Sequence, residues 1–343
     1  MDMIDARRAE LGISYNGYEL SIDLAGDLLD FSYTDAAPGE SDDLQITLED
    51  RENKWQSPEW MPMQGDSIQA EIRTIGWDNP GEIKRLPLGS FEVDSVAMGG
   101  PPDTVTIKAT SLPLKGTARQ EKRTKAWEKV TLRSIAAEVA KRAGLKLTYL
   151  APVNPTYERV DQTEQEDLAF LYSQAKEEGI AVKVSAGQLV LFDEFEFEKA
   201  DPVATLTRGK DNIISYKFDW SAAYAAYVAC EVSYTQAKKK QTIKAKYVPP
   251  GAPAIGPVLK INEQAANEAE ALRKARKALR EKNKEMSLAS MTLMGDTRLA
   301  AGVTILVSGF GTFDGKYLIV SASHNIGSGG YTTNISMRQV LGW

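Results

Sequence analysis

Alternation of apolar and polar residues recurs along much of this chain. Leu44-Gln45-Ile46-Thr47-Leu48, Ile68-Gln69-Ala70-Glu71-Ile72 and Val105-Thr106-Ile107-Lys108-Ala109 each place every second side chain on one face. That period predicts strands with one buried and one wet face. Pro58, Pro62, Pro80-Gly81 and Pro101-Pro102 break the runs, so residues 1–111 read as several short strands without a helical pattern, a barrel or a sandwich. Three further β-rich runs, 303–308, 317–323 and 331–339, lie near the other end. Gly309, Gly311 and Gly315 supply the positive φ that tight turns need, and the runs read as an antiparallel meander able to close a small barrel.

The period changes between residues 116 and 200. Leu132, Ile135, Ala136, Val139 and Ala140 share a helical face after Thr131, and Gly144 stops the run. Thr163-Glu164-Gln165-Glu166 reads as a capping box opening a second helix, with Leu168, Leu171 and Ala175 inward and Gly179 at its end. Two short strands, 181–185 and 188–192, turn at Ala186-Gly187. Glu194, Glu196 and Glu198 alternate with Phe195 and Phe197, predicting a strand that buries the rings. A long helix is expected from Asn262 to about Met286, with Ala265, Ala269, Leu272, Ala275 and Leu279 as its apolar stripe and acids preceding bases along its dipole. The stiff loop Val248-Pro249-Pro250-Gly251-Ala252-Pro253 before it reads as an exposed contact segment.

Composition narrows the chemistry. With 343 residues, 43% of them hydrophobic and 26% charged, the chain has enough material for two or three cores. A formal charge of −6 argues against wholesale binding of nucleic acid. No apolar run approaches the ~20 residues of a membrane helix. The N-terminus lacks a signal-peptide core, so synthesis and folding in cytoplasm are expected. The lone Cys230 excludes an internal disulfide and reads as an inert buried thiol.

Catalytic candidates are few. The single histidine, His324, rules out a two-histidine metal site, and Ser321 and Ser323 beside it are not set in a Gly-x-Ser-x-Gly elbow. The run Gly309 to Gly315 resembles a dinucleotide loop, but its third glycine falls one residue late and a strand follows instead of a helix. Acid pairs such as Asp42-Asp43 or Glu177-Glu178 are expected by chance among 47 acids. Trp55, Trp60 and Trp77 are candidates for a glycan-stacking face. Two local basic clusters, Arg119, Lys122, Arg123, Lys125 and Lys129, and Lys238 to Lys240, read as solvated faces or contact rims before nucleic-acid sites.

Several short signatures resemble one family in their order. They are Ser41-Asp42-Asp43 leading into a strand that ends at Asp50; Gly65-Asp66; Gly89-Ser90-Phe91-Glu92-Val93-Asp94; and Gly100-Pro101-Pro102 before Ala109-Thr110-Ser111. Gln162 to Leu171, and then Phe313-Asp314-Gly315-Lys316-Tyr317 with a strand-end His324, complete the set. Together they resemble the late-control D proteins, the baseplate hubs of contractile phage tails, related to the hub portion of type VI secretion spike proteins. The resemblance implies a mainly β fold with an α+β insertion: two small β-barrel tube-like domains, a small α/β domain and one long helix. The expected boundaries are 1–115, 116–200 and 201–343.

It also implies a structural, non-enzymatic subunit of a phage tail or tail-like particle. Three copies would form a ring adapting the sixfold tail tube to the threefold spike. The implied partners are a second and third copy, a spike expected as a separate chain, the tube or its initiator, and possible tape-measure and wedge proteins. Neither a membrane nor a specific nucleic acid is a partner, and no catalytic, cofactor or metal residue is nominated. The competing expectation is a cell-wall carbohydrate-binding or hydrolytic module using the three tryptophans.

Overall fold

The computed structural model describes residues 7–112, 121–220, 227–236, 241–265 and 267–343. The alternating segments become strands of one thirteen-stranded sheet. Its path starts at Ile213–Trp220 and passes through Ser287–Met294, Gly330–Gln339 and Gly315–Gly327. It continues through Leu28–Asp35, Asp43–Glu49, Thr104–Thr110, Ile83–Gly99 and Ser67–Ile75 to Arg8–Tyr15 and the two-residue Tyr18–Glu19. Thr304–Ser308 and Ala204–Thr207 branch from Gly315–Gly327.

This sheet wraps two cores. In the N-terminal module, Leu44, Ile46, Leu48, Ile68, Ile72, Val105 and Ile107 point inward around Phe31, Tyr33 and Phe91. In the C-terminal module, Met291, Leu293, Ile305, Val307, Tyr317, Ile319, Ile335 and Met337 do the same. Each such side chain contributes roughly 1.5–3 kcal/mol by leaving water. The glycine turns fall where expected, with φ of 86°, 68° and 147° at Gly309, Gly311 and Gly315.

One strand belongs to both modules. The start of Gly315–Gly327 pairs with Thr304–Ser308, and its end, from Ala322, pairs with Leu28–Asp35. Tyr331 on the next strand sits in the N-terminal core, packed against Trp77 at 5.6 Å.

Between Thr104–Thr110 and Ala204–Thr207 lies an α/β unit with its own core. Helices Leu132–Arg142 and Asp167–Glu177 cover a sheet of Lys146–Tyr149, Gln188–Phe192 and Ala181–Ser185. Thr131 caps the first helix by accepting from the Ser134 amide at 3.1 Å. An antiparallel pair of Lys122–Thr131 and Thr156–Glu166 closes the unit, with Trp127 stacked on Phe170. A fourth core, which the sequence pattern did not separate, lies between Ile213–Trp220 and Ser287–Met294. There the helix Glu268–Asn283 docks on its own three-stranded sheet of Gln241–Tyr247, Ala229–Gln236 and Val258–Ile261.

Four local expectations are corrected. Thr163 lies in strand Thr156–Glu166, and the helix starts at Asp167 with no side-chain cap from Glu166. The Gln162 amide reaches the Gln165 carbonyl and Asp167, stabilising a bulge where a capping box was expected. Glu194–Lys199 is a helix, capped by Asp193 through the Phe195 amide at 2.9 Å. The long helix begins at Glu268, because Asn267 and not Asn262 accepts from the Glu270 amide. Its buried stripe is Ala271, Ala275 and Leu279, while Ala269 and Leu272 face solvent.

Candidate assembly surfaces

The continuous sheet ends in two unlike edges. At one end, Ile213–Trp220 has a single partner strand among the described residues. Its register aligns Tyr216, Phe218 and Trp220 with buried Met291, Ala289 and Ser287. Those rings therefore face the core side, where Phe218 packs on Phe310 and Phe313, each at 5.0 Å. Ile214, at the bulge near the strand's start, is 62% exposed and Trp220, at its end, 61%, while Leu288, opposite Asp219 on the other face, is also exposed. At the other end, Arg8–Tyr15 pairs fully with Ser67–Ile75 and, among the described residues, with only Tyr18–Glu19 on its outer side. Gly65-Asp66 fixes this end. The Asp66 carboxylate accepts from the Tyr15 hydroxyl, from the Met63 amide at 2.8 Å and from the Asn16 amide at 3.1 Å. Long open edges bearing apolar side chains invite further pairing, and proteins that must stay single blunt them.

Buried ion clusters lock the units together. Lys183, from the α/β unit, donates to Asp35 and the Ala36 carbonyl and lies 3.1 Å from Asp42, all three on the N-terminal module. Asp35 also accepts from the Ala301 amide of the C-terminal module at 2.7 Å. Burial pushes the Asp42 carboxyl above its ordinary value, against the pull of Lys183. A second cluster joins Arg338 of the C-terminal module to Glu194 and Glu198 at 2.9 and 2.7 Å. Arg280 of the long helix also holds Glu198 at 2.7 Å. Burial works to raise the Glu194 carboxyl, but the Lys284 and Arg338 charges hold it below its ordinary value.

The residues singled out from the sequence do not converge. His324 is fully buried between the modules: its Nε2–H donates to the Leu299 carbonyl at 2.9 Å and its Nδ1 accepts from the Tyr331 hydroxyl at 2.7 Å. Burial lowers its pKa to about 4, so the ring is neutral near pH 7. Ser323 is spoken for by Thr34 at 3.0 Å. Cys230 is buried, its thiol pushed up to about 11 by desolvation. Asp42 is buried in the Lys183 cluster, while Asp43 is exposed. Glu177 is exposed and Glu178 half-buried. Among the described residues, no group of three His, Cys, Asp or Glu side chains is placed to hold a metal ion.

The three tryptophans form no common face. Trp55 is buried and donates to Asp27 at 3.1 Å, Trp60 packs on it at 5.5 Å, and Trp77 is fastened elsewhere to the Gly295 carbonyl at 2.7 Å. Lys125 sits over Trp127 at 3.7 Å, and Arg123 bonds Glu121 at 2.8 Å. Arg119 and Lys238 to Lys240 lie outside the described residues, as do Met1 to Ala6 and the boundary at residue 115. The pattern gave no signal for Lys183 or Arg338, and marked Glu198 only as an alternating acid, because each finds its partner across a unit boundary.

Comparison with known proteins agrees with this architecture. The family model for the phage tail baseplate hub (GPD) matches residues 93–330. A probable baseplate hub protein of Escherichia phage 186 is 23% identical over 370 residues, covering 96% of this chain and 92% of that protein. The crystal structure of a tail protein from Neisseria meningitidis MC58 shares the fold with a TM-score of 0.72 at 14% identity, covering 97% of each chain. A type VI secretion system component of E. coli is similar in fold with a TM-score of 0.57 at 13% identity, covering 92% of this chain and 74% of that one. With the matched segment spanning well over half of its length, the chain belongs to the phage tail baseplate hub family.

Proposed function

We propose that three copies of this chain form a closed ring that adapts a sixfold tail tube to a threefold spike, working by shape and transforming no substrate. The observation that carries this reading is the pair of unlike sheet edges on one continuous sheet. Two different edges on one sheet allow head-to-tail contact between copies, and such contacts close into rings when the rotation allows. Two β modules per chain give three chains six modules, which supports a sixfold face on a threefold assembly. The cores around Phe31 and around Tyr317, with the α/β unit between them, support units 1–115, 116–200 and 201–343. The last of these carries the small helix-and-sheet unit as an insertion.

In this reading the partners are two further copies, a spike protein and the end of the tube, with assembly in the bacterial cytoplasm before the particle is complete. The ion clusters at Lys183 and Arg338 keep the units from swinging, as a collar under load requires. The glycan-binding alternative loses its stacking face, since Trp55 and Trp77 are fastened at separate places.

Light scattering on the chain, alone and with its spike, tests the ring. A species of about three times 37.6 kDa is expected in at least one of the two. The double variant Ile214→Lys, Trp220→Glu should fall to monomers while keeping its circular dichroism. A wild-type chain that stays monomeric in both, or a variant that assembles unchanged, would sink the edge-to-edge ring.

A further inference from the structure

A cleft of about 490 Å3 opens where the helix Glu268–Asn283 meets the α/β unit. Six bases line it: Lys176, Arg273, Arg276, Lys277, Arg280 and Lys284. Five come from the long helix and its C-cap, at spacings of three and four that place them along one side. Four acids share the lining, but three are already engaged. Asp193 caps the helix Glu194–Lys199, Glu194 bonds Arg338, and Glu281 bonds Lys284 at 2.7 Å. Arg280 is likewise taken by Glu198. Lys284 is held by Glu281, and Glu178 faces Arg273 and Lys277, its carboxyl kept raised by burial despite them and Lys274.

Arg276 is the centre of the site. Its guanidinium lies over the Phe195 ring at 5.0 Å, and its buried Nε has no hydrogen-bond partner among the described residues. A planar cation held against an aromatic ring, with a donor left over, can take a carboxylate oxygen. The α/β unit adds apolar lining from Val153, Tyr172, Ile180 and Val182. Basic and apolar lining together suit an extended peptide that mixes acidic and apolar residues. Duplex DNA suits it less, because phosphate tracking needs a long basic surface and only six bases line this cleft.

We propose that this cleft receives an acidic, part-apolar segment of a neighbouring tail protein, with a carboxylate on Arg276 and a second near Lys277. The source of the segment rests on the hub reading; the preference for carboxylates does not. The test is fluorescence anisotropy with a labelled peptide of alternating glutamate and leucine. Wild-type chain should bind it, less tightly as salt rises. The double variant Arg276→Gln, Lys277→Gln should lose at least about tenfold, as expected when charge-assisted hydrogen bonds go. Lys246→Gln, at an exposed base elsewhere, should leave binding unchanged, and thermal melts confirm that each variant is folded. Three results overturn the proposal: equal binding by the double variant, equal binding of the glutamine-leucine peptide, or tighter binding of duplex DNA. A chain that assembles into threes yet ignores the acidic peptide sinks the cleft alone, whereas one that binds it but stays monomeric sinks the ring alone.

Discussion

Taking away the Lys183 ammonium leaves the carboxylates of Asp35 and Asp42 close together in a mostly buried site. Breaking one partner out of such a cluster typically costs about 3–5 kcal/mol. Lys183→Met should therefore lower the urea midpoint strongly, and adding Asp42→Asn should recover part of the loss. His324 makes a second prediction, this one about pH. Its folded pKa of about 4 lies below its ordinary value of 6.5, so the unfolded chain binds the extra proton between those limits. Stability then rises with pH across that window, by up to about 3 kcal/mol from this group, and is constant above it. Urea titrations at pH 4.5 and 7.5 should show a smaller difference in His324→Gln than in wild type. An unchanged difference would mean that the buried ring is not the acid-sensitive group.

At the scale of elements, the meander at 304–339 and the helix Leu132–Arg142 were legible because their signals are local: strict alternation, glycine turns and a Thr131 cap. Glu194–Lys199 was not, since Glu-Phe alternation is the same string in either conformation. The helix prevails because residues four apart share a face, so Glu194 and Glu198 both reach Arg338 while Glu196 turns out to Lys199. A strand would have put all three acids on one side, Glu196 with them, away from Lys199. The stripe of the long helix was similarly misplaced at Ala269 and Leu272, because which face is covered depends on a sheet formed by Ala229–Gln236 and its neighbours. Leu279 is the largest side chain of the helix in that core. Leu279→Ala should cost about 2–5 kcal/mol in the stability of this unit, read by thermal melting. Leu272→Ala, on the exposed side, should stay within about 0.5 kcal/mol of wild type.

For the whole molecule, the sequence pattern indicated β modules and an α/β insertion but not how they are joined, because the joint is made by residues nearly 300 positions apart: Ala322 opposite Asp35, Ile326 opposite Phe31. Sharing a strand predicts that the two β modules lose protection together in hydrogen exchange. The unit around Cys230 and Leu279 has its own core and a sheet of its own, so it should open at lower denaturant. Separate transitions for the two β modules would contradict the shared strand as a rigid joint.

That strand also sets a schedule. When a ribosome has delivered the first 300 residues, Leu28–Asp35 still lacks one neighbour, and Tyr331, which completes the same interior, has yet to be made. The earliest part of the polypeptide must wait, with one flank bare, for nearly the last part to emerge. Closing so long a loop is slow, and a nascent chain stalled in that interval would show an unsealed barrel wall to every other copy being translated nearby.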